Sequence, residues 1–297
     1  MIPTFPAFTP ISLTHKAELE AYLQAQPPQA SEYTFTNLFA WRGVSGYQLC
    51  RFGAGFLIRK EHHGHLSFLQ PLVPTDLPAA LTACADYLRT AGHPPIIERV
   101  GEDALAQAGS LTGWDVREDR DNFDYVYRID ELVALSGPRF HDKKNLLTQF
   151  LNKNPSYQYR PLTADRLDEC IRYAHDWCEL RQCETVEGMS HENCAALQML
   201  HHFSALSTVG GIIEVDEALV ALTLGEALAP DTLVVHIEKA DNRYTGLYQA
   251  IHWDFLRHAG TGYTFVNREQ DLGIPGLRKA KLSYNPVHLV KKYVLTR

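Results

Sequence analysis

Hydrophobic and polar positions alternate in two series that follow the same order along the chain. In the first, a polar helix is predicted over 13–26, followed by SEYTFTNLFAWR. There Ser31 is placed to cap a short helix with Phe35, Leu38 and Trp41 on one face. Three short strands follow, Tyr47–Phe52, Gly55–Lys60 and His65–Gln70, separated by the Gly53-Ala54-Gly55 and His63-Gly64 turns. A helix over 77–91, a strand over 96–99, a helix over 102–109 and a strand pair, 114–118 with 125–129, complete the series.

The second series opens with helices predicted over 167–181 and 191–206 and continues as a meander, Gly211–Val215, Leu219–Gly225 and Thr232–Lys239, with Asp216-Glu217 as a tight turn. The apolar run Ala218–Leu224 fits a strand covered on both faces. Across 232–238 the pattern alternates, with Leu233, Val235 and Ile237 on one face and Val234, His236 and Glu238 on the other. A helix over 246–258 and a strand over 263–266 end the series. Each half therefore reads as helices, a three-stranded antiparallel meander, a helix and a further strand. The expected fold is α+β, with two mixed central sheets flanked by helices. The expected domains are 1–137 and 138–297, divided at Gly137-Pro138.

Composition narrows the function classes. The 297 residues carry 28 Lys and Arg against 35 Asp and Glu, a net charge of −7, which excludes a chain that coats nucleic acid over its whole surface but leaves room for a local basic patch. No stretch approaches the ~20 apolar residues of a membrane span, and the first residues lack the pattern of a secretory signal. A cytoplasmic location is expected. The six cysteines form no Cys-x-x-Cys pair, and the C-x4-C spacing at Cys178 and Cys183 is a poor zinc motif, so no metal is expected. No G-x-S-x-G elbow, Walker lysine loop or H-E-x-x-H is present.

Three segments carry candidate chemistry. In EKADNRYTGLYQAIHWDFL a strand runs through a polar turn into a helix, whose start favours an anion such as pyrophosphate; Arg243 and Gly246 are the candidate ligands. Arg243, Gly246 and Tyr248 resemble the Q/R-x-x-G-x-G/A motif with which GNAT enzymes bind the pyrophosphate of coenzyme A; Arg243 and Gly246 match it, and Tyr248 replaces its last small residue, which the resemblance implies would crowd a cofactor. In RFHDKKNLLTQFLNKNP, Lys144 lies on the stripe of Phe140, Leu147 and Leu151, where it either snorkels or points into a cleft. From Arg278 onward the C-terminal segment holds six cations and no carboxylate, a local positive field or a solvated basic tail. Just upstream, Arg268, Glu269 and Asp271 place both signs of charge beside the Gly273-Ile274-Pro275-Gly276 turn.

Together SEYTFTNLFAWR, FHDKKNLLTQF, EKADNRYTGLYQAIHWDF and NREQDLGIPGLRKAKLSYNP resemble the bacterial family grouped with the C-terminal catalytic domain of phosphatidylglycerol lysyltransferase. The resemblance covers nearly the whole chain and implies a tandem GNAT-like (GCN5-related N-acetyltransferase-like) fold, similar to the Fem-type aminoacyltransferases. It implies an acyltransferase taking an aminoacyl group from charged tRNA, with no resident cofactor; the acceptor, a small molecule, peptide or lipid head group, is not specified. A coenzyme A thioester donor for N-acetyl transfer, or a non-catalytic ligand-sensing role, are the alternatives. Carried over by motif, Arg278 and Lys281 match the basic pair that holds the tRNA end or a phosphate, and Lys144 and Arg243 fall in matching blocks. Glu238, Glu269 and Asp271 are the candidates to orient the attacking amine or the donor's ammonium. Loss of Arg278 is expected to abolish transfer without unfolding the chain.

Overall fold

The computed structural model describes residues 1–183 and 187–297. In chain order the elements are β1 (Thr9–Pro10), α1 (Lys16–Ala25), α2 (Phe35–Ser45), β2 (Gln48–Phe52), β3 (Gly55–His62), β4 (His65–Leu69), α3 (Leu77–Thr90), β5 (Ile96–Gly101), α4 (Glu102–Ala108) and β6 (Asp115–Glu118). Next come β7 (Asp124–Arg128), α5 (Ile129–Ala134), α6 (His141–Lys153), β8 (Gln158–Pro161), α7 (Leu167–Leu180), α8 (Glu187–His201), β9 (Val209–Val215), β10 (Ala218–Ala229) and β11 (Thr232–Ala240). The last are α9 (Leu247–Ala259), β12 (Phe265–Asn267), α10 (Pro275–Leu282), β13 (His288–Val290) and β14 (Lys292–Thr296).

These elements form two compact units, Met1–Asp124 with Val290–Arg297, and Tyr125–Leu289. Each holds one seven-stranded mixed sheet, ordered β1-β2-β3-β4-β5-β14-β6 in the first and β13-β7-β12-β11-β10-β9-β8 in the second. The break lies ahead of Gly137-Pro138 because β7 pairs antiparallel with β12, which draws 125–137 into the second unit. The strands predicted as a pair near 114–118 and 125–129 both exist but sit in different sheets, β6 beside β14 and β7 beside β12.

The C-terminal segment is not a solvated tail. It forms α10, β13 and β14, and β14 lies between β5 and β6 with Leu295 fully buried. Lys292 is buried too, its Nζ donating to Glu32 Oε2 at 2.5 Å and Asp124 Oδ1 at 2.6 Å. Ser31, expected as a helix cap, instead donates to the Asp124 carboxylate through N (2.8 Å) and Oγ (3.0 Å). Thr34 caps α2 by accepting from Asn37 N at 3.0 Å.

In the second unit, β9, β10 and β11 form the expected meander, and Asp216 and Glu217 both take positive φ in its turn. Helix α9 crosses to β12, which lies parallel to β11, and buries Leu247, Ala250, Ile251 and Phe255 against Leu233, Val235 and Val266. Two features of β11 set the geometry at this end of the sheet. First, β11 and β12 pair only through Thr232↔Phe265, Leu233↔Val266 and Val234↔Asn267, so β11 continues for six residues, 235–240, beyond the last pair. The sheet is splayed there. Second, the register to β10 passes from Leu224↔Ile237 to Gly225↔Val235, leaving His236 as the extra residue of a β-bulge. The bulge reverses the alternation: Leu233 and Val235, then Ala240, belong to the core on the α9 side. Glu238 is thereby brought to the face that meets α9, and the simple alternation read from the sequence breaks at His236.

Candidate functional site

The splay of the second unit gathers a charged cluster. Glu238 on β11 accepts from Arg268, just past β12, through Oε1 at 3.0 Å and Oε2 at 3.2 Å, and its Oε2 lies 3.1 Å from His252 Nδ1 on α9. Burial raises the affinity of Glu238 for a proton, but Arg268, with His252 and Lys281, overrides it and holds the pKa at about 2. The Arg268 guanidinium packs over Tyr284, its Cζ 4.9 Å from the ring centroid. The His252 ring stands edge-on to the same tyrosine.

A second cluster adjoins it. The bulged His236 is clamped between Glu226 (Nε2···Oε1, 2.9 Å) and Glu269 (Nδ1···Oε1, 2.7 Å). Burial disfavours the imidazolium, yet the two carboxylates win and lift the pKa to about 10, so the ring is cationic at neutral pH. Glu269 follows β12 in a left-handed backbone conformation, φ 56°, and Asn267 Oδ1 accepts from its N–H at 2.8 Å. That strained turn aims the Glu269 carboxylate back toward β11.

Asp271 is fully buried and fully engaged. Arg278 on α10 donates to it twice, at 2.9 and 2.8 Å, Gly273 N donates at 2.8 Å, and the Tyr125 hydroxyl also donates to it. Burial opposes its charge, but Arg278 and these donors hold its carboxyl well below the ordinary carboxylate range. Asp271 therefore fixes Arg278, whose side chain stays about a third exposed at 32%. The Lys281 amino group is turned inward, donating to the backbone carbonyls of Arg268 and Glu269, and its own carbonyl accepts from the Tyr127 hydroxyl at 2.8 Å.

Of the residues expected from sequence, the splay brings together Glu238, Arg268, Glu269 and Lys281, with the Asp271–Arg278 pair one turn away. It does not include Lys144, Arg243 or Gly246. Lys144 is exposed on α6, and its neighbour Lys143 is the half-buried one, Nζ 4.4 Å from the Tyr284 centroid; burial and Arg268 lower its pKa. Arg243 is exposed and spends its guanidinium on Asp241 at 2.8 Å. Gly246 has φ 87° and is buried, and a Cβ there would lie 2.0 Å from the Leu146 carbonyl oxygen of α6. The glycine serves the close packing of α6 on the start of α9. The supposed basic field is also largely spent: Lys292 and Arg278 are paired with buried carboxylates, and Lys291 pairs with Glu118 at 3.2 Å.

The family described as "Phosphatidylglycerol lysyltransferase, C-terminal" matches residues 24–296. The chain belongs to that family.

A conserved protein of unknown function from Bacteroides thetaiotaomicron is 32% identical, superposes with a TM-score of 0.91, and is matched over 100% of this chain and 99% of its own. The C-terminal domain of a protein described as a lysylphosphatidylglycerol synthetase of Agrobacterium fabrum superposes with a TM-score of 0.69 at 11% identity, over 96% of this chain and 92% of that one. An uncharacterized protein of Mycoplasmoides gallisepticum is 21% identical over 175 residues, 58% of this chain and 55% of that protein, so the match spans about half the length of that relative. The fold is mixed α/β, two mixed sheets flanked by helices, and it is shared with the Agrobacterium fabrum domain. No helix among the described residues is long and apolar enough to cross a membrane.

Sequence reasoning misses four members of the cluster: Glu226, His236, His252 and Tyr284. His236 is visible only as a polar position in an alternating strand, and His252 sits among the apolar positions of α9, where it reads as core. Glu226 lies just past the strand predicted over 219–225, and Tyr284 lies outside every predicted element, so neither carries a periodic signal.

Proposed function

We propose that this phosphatidylglycerol lysyltransferase-type chain transfers an aminoacyl group from charged tRNA to an amine or hydroxyl acceptor, using the splay of its second unit. The observation that carries the reading is the Glu226–His236–Glu269 triad. Two carboxylates meet on one imidazolium, and Glu269 is the partly exposed member, 17% by side chain. An aminoacyl ester carries an α-ammonium that such a group receives; an acetyl donor has none. Arg278, held in place by Asp271 and partly exposed, supplies a cation for phosphate. Lys281 acts as a brace beneath Arg268 and Glu269. Against coenzyme A stand the packed Gly246 and Tyr248 in place of a small residue.

The chemistry asked of the site is modest. The ester is already activated, so alignment and charge stabilisation suffice. A backbone N–H on the β11 edge beyond Val234 is the donor assigned to the oxyanion, worth about 2.7–4 kcal/mol in such a position. The test is filter binding of bulk charged tRNA in rising salt, with coenzyme A as competitor, followed by transfer to a panel of amines. Saturable, salt-sensitive binding that coenzyme A leaves intact, and weaker retention of charged tRNA by Glu269→Gln, are expected. Absence of tRNA binding, or displacement by coenzyme A, refutes the reading.

A further inference from the structure

His252 is 3% exposed, and only one of its ring nitrogens is used. Nδ1 lies 3.1 Å from Glu238 Oε2. A carboxylate can only accept, and Glu238 is ionised throughout the neutral range, so Nδ1 carries the hydrogen. Nε2 has no hydrogen-bond partner among the described residues, although it is shielded from solvent. Buried polar atoms in folded proteins almost always find a partner, and one left unpaired invites a functional account.

The surroundings settle which form the ring takes. Facing it are Glu238 from β11, Arg268 after β12, Lys281 from α10 and Tyr284 after α10, while Lys143 of α6 lies over the far side of Tyr284. Burial and the Arg268 and Lys281 cations disfavour a charged ring; Glu238 alone favours one, and the balance lowers the His252 pKa below its ordinary value. The ring is therefore neutral at neutral pH, with its proton on Nδ1 and a lone pair on Nε2. His236, sixteen residues earlier, is the opposite case: both its ring N–H groups donate to carboxylates and it has no lone pair to offer. Two buried histidines in one cluster are thus set to opposite protonation states, which separates an acid–base role from a purely electrostatic one.

We propose that His252, through Nε2, accepts the proton of the attacking acceptor, directly or through one water, with Glu238 as the positioning residue that fixes its tautomer. The inference rests on the proposed aminoacyl transfer. In the step, the acceptor nitrogen or oxygen forms a bond to the ester carbonyl carbon and its proton passes to Nε2. The carbonyl carbon then releases the ribose oxygen of tRNA, and the imidazolium returns the proton to that oxygen. Donor ester and acceptor become amide or ester plus free tRNA hydroxyl, with no net proton taken up.

Two measurements on the full chain test it. Nitrogen-15 NMR of the imidazoles over roughly pH 5 to 9 reads the tautomer without any substrate. The expected result is a neutral His252 protonated on Nδ1, titrating below the ordinary histidine range; an imidazolium at neutral pH, or a proton on Nε2, overturns the proposal. The second is single-turnover transfer from bulk aminoacyl-tRNA to ethanolamine across the same pH range. His252→Gln should retain charged-tRNA binding, lose roughly 100-fold or more in rate, and lose the acid limb of the profile. An unchanged rate and acid limb in that variant overturn the role of His252 and leave the transfer reading standing. A wild-type chain that does not bind charged tRNA overturns the transfer reading and this step with it, and the NMR tautomer distinguishes that failure from a failure of His252. Should His252→Gln not fold, the wild-type tautomer still decides.

Discussion

Replacing Gly246 by alanine separates the two roles this position can have at the start of α9. If the turn were an open cradle for pyrophosphate, the added methyl would block a ligand and leave the free protein alone. The structure gives the glycine a different duty. Its φ of 87° is in the region that costs a side-chain-bearing residue about 1–2 kcal/mol. Its Cβ would stand 2.0 Å from the Leu146 carbonyl oxygen and 3.1 Å from Phe150 Cβ. The first contact involves backbone, so α6 or α9 must move by about an ångström, and overpacking of that kind costs about 1–3 kcal/mol. The two effects together predict a loss of about 2–5 kcal/mol. With a urea m-value of about 1–3 kcal/mol/M for a unit of this size, the midpoint falls by on the order of 1–2 M. Trp253 on α9, whose Nε1 donates to Val133 O at 2.8 Å, gives a fluorescence probe inside the second unit. A Gly246→Ala variant that unfolds at the wild-type urea concentration while losing affinity for coenzyme A would refute the packing argument and restore the cradle.

Lys292→Met should lower the melting temperature by roughly 10 °C, because it removes the buried cation between Glu32, which keeps Arg99, and Asp124, which keeps the Ser31 donors, and breaking a buried pair costs about 3–5 kcal/mol; differential scanning calorimetry reads it, and an unchanged transition would refute the pairing. Stability should also depend on pH in two windows. His236, raised from 6.5 to about 10, contributes fully below 6.5 and loses its contribution as pH climbs through about 10; Glu238, depressed from 4.5 to about 2, contributes fully above 4.5 and loses it as pH falls through about 2. Chemical denaturation at stepped pH should place the plateau between 4.5 and 6.5 for the wild type, and His236→Gln should flatten its alkaline side. Arg278→Lys keeps a cation but loses the two-pronged grip on Asp271, so we expect weaker charged-tRNA binding together with about 1–2 kcal/mol of lost stability, in contrast to the purely functional loss expected from sequence.

The legible and the hidden parts of the molecule divide along one physical line. The meanders, the crossover helices and the mixed α/β class come from local period, and β2 to β4, α3, β9 to β11 and α9 all lie where alternation or helical spacing places them. Local period cannot report a partner distant in sequence. Thus β14 reads as a basic tail although Leu295 and the half-buried Tyr293 already mark an interior strand; Lys291 and Lys292 mask it, and the carboxylates of Glu32 and Asp124, far upstream, make a buried Lys292 tolerable. The candidate site is harder still because it occupies the places where regularity fails. One extra residue at His236 turns Glu238 toward α9, a left-handed Glu269 turns a carboxylate back toward β11, and Lys143 rather than Lys144 faces Tyr284, four and seven residues before the buried Leu147 and Phe150, whereas Phe140 belongs to the preceding 3-10 turn. A periodic reading misplaces Glu238 and the α6 lysine by a single step and says nothing of Glu269. Such departures carry a cost in strain and desolvation, and proteins tend to keep them where function needs them. That the bulge, the left-handed turn and the unpaired Nε2 of His252 converge on one strand end is therefore itself an argument that the splay of the second unit is the working part of the molecule.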